Sequence, residues 1–277
     1  MDWTDFSLAG RAALVTGGSA GIGLAMARAL ARSGARVMIA GRGEDRLAAA
    51  AAALRADVPD ADILTRSVDL QRHEDVLALA DAAGEALDGV DILVGNAGAV
   101  FPEPFGAITP EVAAQALQLN LLCNVTLVDR LLPHMKAQKW GRFLFSSSTA
   151  SQLAAPFRSN IVYAAAKAGL NAFARALAVD CGRYGITANT LILGVFWTEI
   201  LTDAEAEIRR DQGDASADAL IEDFTQMTAL GRLGHTRDIE GLVRLLASDA
   251  GGYITGAGIP VDGGTSIVMM PVRAEPG

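Results

Sequence analysis

Short apolar runs alternate with amphipathic stretches through most of the chain. Arg11 to Thr16 is a compact apolar run, too short for a stable helix, and reads as a buried strand. From about Gly21 to Ser33, Ile22, Ala25, Met26, Ala29 and Leu30 fall at helical spacing, and Gly34 stands where a helix-ending glycine is expected. Ala35 to Ala40 is the second strand, Glu44 to Ala56 an alanine-rich helix, and Asp62 to Val68 the third strand. The pattern continues with a helix from Glu74 to Leu87, a strand from Val90 to Val94, and one long helix from Pro110 to Gln138. Arg142 to Phe145 is a strand leading into Ser146-Ser147-Ser148, followed by a helix from Ile161 to Tyr184 and a strand from Ile186 to Leu193. Asp238 to Ser248 is the last helix and Gly258 to Val261 the last strand.

Strand, glycine-rich turn, helix and parallel strand form a crossover unit that closes with one hand. About seven strands and six helices, with no repeat or linker between them, imply an α/β fold. The expected architecture is a Rossmann-type, doubly wound parallel sheet in three layers. Residues 1–277 form a single domain in this reading. The stretch from about 196 to 234 breaks the alternation, with Asp211, Gly213, Asp214, Ser216 and Asp218 among short helical pieces. An insertion at the carboxyl ends of strands commonly serves as a lid.

Composition narrows the classes. Hydrophobic residues make up 51% of the 277 and charged residues 20%, ample for a core. A net charge of −9 with no basic tract argues against nucleic-acid binding. The acidic start, Met1 to Phe6, lacks the blocks of a secretory signal, and no apolar run reaches bilayer-spanning length. Cys123 and Cys181 read as free buried thiols, so a reducing cytoplasm is the expected location. His73, His134 and His235 are scattered, so neither a metal site nor a histidine triad is expected.

The candidate chemistry sits at Tyr163-Ala164-Ala165-Ala166-Lys167. Tyr and Lys four apart share a helix face, where an ammonium favours the phenolate and lowers the phenol's pKa from about 10 toward neutrality. Such a phenol can protonate a carbonyl oxygen or deprotonate an alcohol. Alone, the pair is more often an ordinary helix surface. Its company is Thr16-Gly17-Gly18-Ser19-Ala20-Gly21-Ile22-Gly23, a glycine turn between strand and helix where free N–H groups and the helix dipole suit a pyrophosphate.

Together these motifs resemble the short-chain dehydrogenase/reductase family from about Gly10 to Gly264. The matches come in family order: Thr16–Gly23, Asn96-Ala97-Gly98, Asn120, Ser148, Tyr163–Lys167, Gly194 with Thr198, and Asp262-Gly263-Gly264. The resemblance implies an NAD(P)-dependent oxidoreductase interconverting a ketone or aldehyde with an alcohol. Tyr163 would be the general acid or base, and Lys167 would lower its pKa and hold the nicotinamide ribose. Ser148 would hydrogen-bond the substrate oxygen, and Asn120 would anchor a water leading from Lys167 to solvent. Ser146 and Ser147 are the alternatives to Ser148, which the strand pattern favours. Cofactor contacts would come from Gly17, Ser19, Gly21, Ile22, Gly23, Arg42, Asp69, Leu70, Asn96, Ala97, Gly98, Tyr163, Lys167, Gly194, Val195 and Thr198.

The second strand ends Ala40-Gly41-Arg42, with glycine where an NAD-preferring site puts a carboxylate. Arg42 suits a 2′-phosphate, so NADP is expected, although Ala20 leaves the family's other basic signal missing. Two further departures are Gly95 in place of the first Asn of N-N-A-G, and Leu193 in place of the proline before Gly194. Ala150, Ser151, Leu153, Phe157, Val195, Phe196, Trp197 and Leu201 would line a mainly apolar pocket for a medium-sized substrate, or pack the lid. Reduction of 3-oxoacyl groups on an acyl carrier protein is one alternative, an NADP-sensing regulator without turnover another. A methyltransferase would explain the glycine turn but not the Tyr/Lys pair. The resemblance further implies a homotetramer. Leu121, Val125, Leu132, Phe173, Leu177 and Ile259 would supply the surplus apolar surface, with the tail from Ile267 docked on a neighbour.

Overall fold

A computed structural model describes residues 3–101, 104, 106–153 and 160–268 of the chain. Seven parallel strands form one sheet: β1 (Ala12–Thr16), β2 (Arg36–Gly41), β3 (Ile63–Ser67), β4 (Ile92–Gly95), β5 (Gly141–Ser148), β6 (Ile186–Leu193) and β9 (Gly258–Val261). Their order is β3-β2-β1-β4-β5-β6-β9, so chain direction across the sheet reverses between β1 and β4. In open α/β sheets, ligands bind at the carboxyl ends of strands beside that switch.

All five residues of β1 are buried because both sheet faces are covered. Ala13 and Val15 pack with α1 (Gly21–Arg32), α2 (Glu44–Asp57) and α9 (Glu240–Ala247). Ala12 and Leu14 face the opposite way, into α3 (His73–Ala86), α5 (Cys123–Gln138) and α6 (Ile161–Cys181). Alternate side chains of a single strand thus serve two cores, and the three expected layers follow. The alanine run in α2 is ordinary helix, with Leu47, Ala50, Ala51 and Leu54 turned inward. Cys123 and Cys181 are free and buried.

Three expectations change in detail. The long helix from Pro110 is interrupted: α4 (Pro110–Leu117) passes through a π-helical turn, Gln118–Leu122, before α5 continues. Asn120 lies in that wider turn, which frees local backbone groups from the regular ladder. The helix expected to reach Tyr184 ends at Cys181, with a 3₁₀ turn, Gly182–Tyr184, behind it. The stretch 196–234 is more regular than its composition suggests. It holds two helices, α7 (Glu199–Gln212) and α8 (Asp214–Gln226), and a small parallel pair of β7 (Phe196–Trp197) with β8 (Gly234–His235). Arg209 joins those two helices by ion pairs to Glu205 at 2.7 Å, Asp214 at 2.9 Å and Asp218 at 2.8 Å.

Candidate active site

The glycine turn after β1 is tied back to β2, with the Gly17 N–H donating to the Ala40 carbonyl at 2.8 Å. A Cβ on Gly23 would collide with the Gly17 carbonyl oxygen, so only glycine lets α1 close onto the turn. Asn96, just past β4, fastens the other side. Its amide nitrogen donates to the Thr16 carbonyl at 3.2 Å and the Gly17 carbonyl at 3.3 Å, and its Oδ1 accepts from the Ser146 hydroxyl at 2.9 Å. Three strand ends are thereby fixed around one groove. Sequence reasoning missed two members of this brace. The Thr16 hydroxyl accepts the Asn96 and Ala97 N–H groups at 3.0 and 3.1 Å, and Ser146 turns toward Asn96 rather than the site.

Helix α7 roofs the groove at its root. Thr198, the residue before α7, puts its Cγ2 3.4 Å from where a Gly21 Cβ would stand. Arg46 of α2 reaches Glu199 of α7 at 2.8 Å. On the adenosine side Ser19 lies beside Gly41, and Arg42 is exposed with no ion pair among the described residues. Asp69 is half-buried and accepts the Gln71 N–H at 3.1 Å, and Leu70 is buried. Ile22, Ala97, Gly194 and Val195 are half-buried around the same rim. Unpaired amides of the first turn of α1, small residues above them and a free guanidinium fit the diphosphate and a phosphorylated ribose.

At the groove's inner end, α6 presents Tyr163 and Lys167. Lys167 is 3% exposed, and its Nζ donates to the Ser146 carbonyl at 2.8 Å. Gly98 lies against it: a Cβ there would come 3.1 Å from the Lys167 Nζ and 2.7 Å from the Asn120 Oδ1. Asn120 is fully buried and pins the adjoining loop, donating to the Ala99 and Ala116 carbonyls, both at 2.9 Å, and accepting the Ala99 N–H at 3.2 Å. Ser148 ends β5 and hydrogen-bonds the Tyr163 phenol, whereas the Ser147 hydroxyl turns inward to the Lys167 carbonyl at 3.3 Å. Ser148 is therefore the serine that meets Tyr163.

The electrostatics correct one expectation. Lys167 does not acidify Tyr163 here. Burial pushes the phenol above its ordinary value, and the Ser148 hydrogen bond opposes that rise. The ammonium lies 5.6 Å from the phenol ring centre, and burial lowers Lys167 to about 8. Desolvation is the largest influence on each group. Cys123, close behind Lys167, is pushed up to about 12 and stays a thiol.

The expected pocket residues separate. Ala150, Val195, Trp197 and Leu201 are half-buried. Phe196 is instead a core residue, 5% exposed and packed beneath Gly234. Ser151 directs its hydroxyl inward, to the Ser148 carbonyl at 2.6 Å. Phe157 lies outside the described residues. Gly95, where the family pattern has Asn, sits under Asn124 of α5, whose Oδ1 occupies the space a side chain there would need.

A family model described as enoyl-(acyl carrier protein) reductase matches residues 17–266. Levodione reductase of Leifsonia aquatica is 30% identical over 92% of this chain and 94% of its own length. The chain is a short-chain dehydrogenase/reductase. It therefore belongs to a family of NAD(P)-binding oxidoreductases acting on CH–OH donors. The 3-oxoacyl-acyl-carrier-protein reductase FabG of Pseudomonas aeruginosa is 33% identical over 93% of this chain and 98% of its own. Among solved structures, L-sorbose reductase of Gluconobacter frateurii, complexed with NADPH and L-sorbose, superposes with a TM-score of 0.88. It is 26% identical, over 96% of this chain and 100% of that one.

Proposed function

We propose that this short-chain dehydrogenase/reductase is an NADP(H)-preferring carbonyl reductase, or alcohol dehydrogenase in reverse, for a medium-sized, mainly apolar and uncharged substrate. The observation that carries the reading is the meeting of Ser148, Tyr163 and Lys167 at the inner end of the groove that starts at Gly17–Gly23. The nicotinamide, bound there, would supply or accept hydride. Ser148 would donate to the carbonyl oxygen as charge develops on it. Tyr163, which burial holds in its protonated form, would deliver its proton to that oxygen. Lys167, now on the Ser146 carbonyl, is within reach of the Gly98 loop and would hold the ribose. Asn120 would act through the carbonyls of its π-helical turn, keeping a water path to Lys167.

Arg42 supports NADP, because a guanidinium without a carboxylate partner suits a 2′-phosphate. The lid supports an uncharged substrate. Between residues 199 and 226 it carries nine carboxylates and two arginines, most of the chain's acidic excess. An acyl-carrier-protein substrate is the second reading, favoured by the FabG relative. The same carboxylates would repel an acidic carrier. A cytoplasmic homotetramer completes the proposal, on two buried thiols, the edge strand β9, and Val179 and Leu122, 87% and 45% exposed.

A panel of cyclic and linear ketones, assayed with NADPH and with NADH, tests the reading. Turnover of neutral ketones with NADPH, lost in Tyr163→Phe while dinucleotide binding persists, is expected. Undiminished turnover in that variant, or activity confined to charged hydroxy acids or carrier-bound thioesters, would overturn it.

A further inference from the structure

A chain of hydrogen bonds runs from the turn after β5 to the back of the catalytic helix. Asn171, on α6 one turn beyond Lys167, donates from Nδ2 to the Ser151 hydroxyl at 2.8 Å. Ser151 donates in turn to the Ser148 carbonyl at 2.6 Å. The Ser148 hydroxyl caps that turn, accepting the Ala150 N–H at 3.2 Å, and also meets Tyr163. Ser147 borders the same chain, its hydroxyl 3.4 Å from that of Ser151. Among the described residues, the Asn171–Ser151 bond is the only side-chain hydrogen bond from Thr149–Ser151 to α6.

We propose that Ser151 and Asn171 are positioning residues that hold Ser148 in register with Tyr163 by tying the turn after β5 to α6. This rests on the carbonyl-reductase reading above and adds to it two residues that act through Ser148, the Ser151 hydroxyl being engaged by the Ser148 carbonyl and the Asn171 amide. Packing alone does not account for Asn171. It is 7% exposed and its Oδ1 has no partner. A buried amide with an unmet acceptor is worse for stability than an apolar side chain of similar size. What it retains is the donor to Ser151, and through Ser151 the direction of the Ser148 carbonyl. Two bonds fix the residue from both sides, one at its carbonyl and one at its hydroxyl.

The consequence reaches Tyr163. Burial raises the phenol's pKa, and the Ser148 hydrogen bond pulls it down. If the turn drifts, that bond lengthens and the phenol becomes harder to ionise. The charged or titratable groups facing it among the described residues are Lys167, on the same helix, and Cys123 of α5 behind Lys167. Neither is altered by changes at Ser151 or Asn171.

The chain has three tyrosines, so ¹³Cζ-tyrosine NMR can follow Tyr163 directly, with its signal assigned by Tyr163→Phe. In Ser151→Ala and Asn171→Leu, the Tyr163 titration is expected to move up by about half to one pH unit. Reduction kcat should fall about tenfold with the dinucleotide Kd unchanged. Ser151→Thr keeps a hydroxyl and is expected to restore both. An unmoved titration in folded Ser151→Ala, or a loss that Ser151→Thr does not recover, overturns the inference while leaving the functional reading intact. Turnover that survives Tyr163→Phe overturns both.

Discussion

Replacing Lys167 with methionine is expected to stabilise the dinucleotide-free protein while abolishing its turnover. The amine is 3% exposed, and burial lowers it from 10.5 to about 8. That fall corresponds to roughly 3 kcal/mol held against the cation near pH 7. Methionine has a similar length and carries no charge. The variant loses the 2.8 Å bond to the Ser146 carbonyl, worth about 1 kcal/mol. A net gain of about 2 kcal/mol remains, or about 4–8 °C in Tm for a domain of this size. The sign has a pH signature. An unfolded lysine keeps its proton to about pH 10.4, whereas the folded one begins to lose it near 8, so the wild-type penalty is complete below that and fades above it. The stability gap should therefore be flat from pH 6 to 7 and close between about 8 and 10.4. Cys123, pushed up to about 12, destabilises the fold in alkali, but it does so in both proteins and cancels in the difference. Urea unfolding of both proteins across pH 6–10 measures the gap. A variant less stable than wild type at pH 7, or a gap indifferent to pH, would refute the assignment of Lys167 as a desolvated cation.

Other expectations follow from the rim of the groove. Arg42→Leu should lower the NADPH-to-NADH ratio of kcat/KM by about 10- to 100-fold, the worth of a charged hydrogen bond; an unchanged ratio would remove Arg42 from the 2′-phosphate site. The Arg46–Glu199 pair joins α2 to α7. Arg46→Glu and Glu199→Arg should each speed dinucleotide release about two- to fivefold, and the double swap should restore it. Stopped-flow fluorescence reads that rate, and identical rates in all four proteins would count against a latch. Gly23→Ala places a methyl against the Gly17 carbonyl, so loss of dinucleotide binding is expected in a thermal-shift titration.

Much of the fold was legible because a parallel sheet writes itself as apolar runs. Every strand of the central sheet has a counterpart in the pattern, within a few residues. The glycine turn and the Tyr163–Lys167 spacing are local, so motif and geometry coincide. The π-helical turn at Asn120 was not legible, since its apolar neighbours Leu119, Leu121 and Leu122 suit an unbroken helix equally well. The stretch 196–234 misled through its charges. Acidic residues and Gly213 suggested an irregular stretch of short helical pieces, but Arg209 draws three of the carboxylates into a clasp between two full helices. Phe196 looked like a pocket aromatic because nothing local reveals which way a two-residue strand turns its side chains. The electrostatics of Tyr163 depended on burial, which is a property of the assembled layers.

The pairing of Gly95 with Asn124 has a consequence for anyone redesigning this protein. The amide absent from the strand end is replaced by one reaching over from the neighbouring helix, so two positions 29 residues apart compete for one space. Placing asparagine at 95, where the family pattern has it, drives it into an occupied space. Shortening 124 alone would hollow out the same spot. A design that puts a side chain at 95 therefore has to shorten 124 in the same step, and one that trims 124 has to fill the gap from 95.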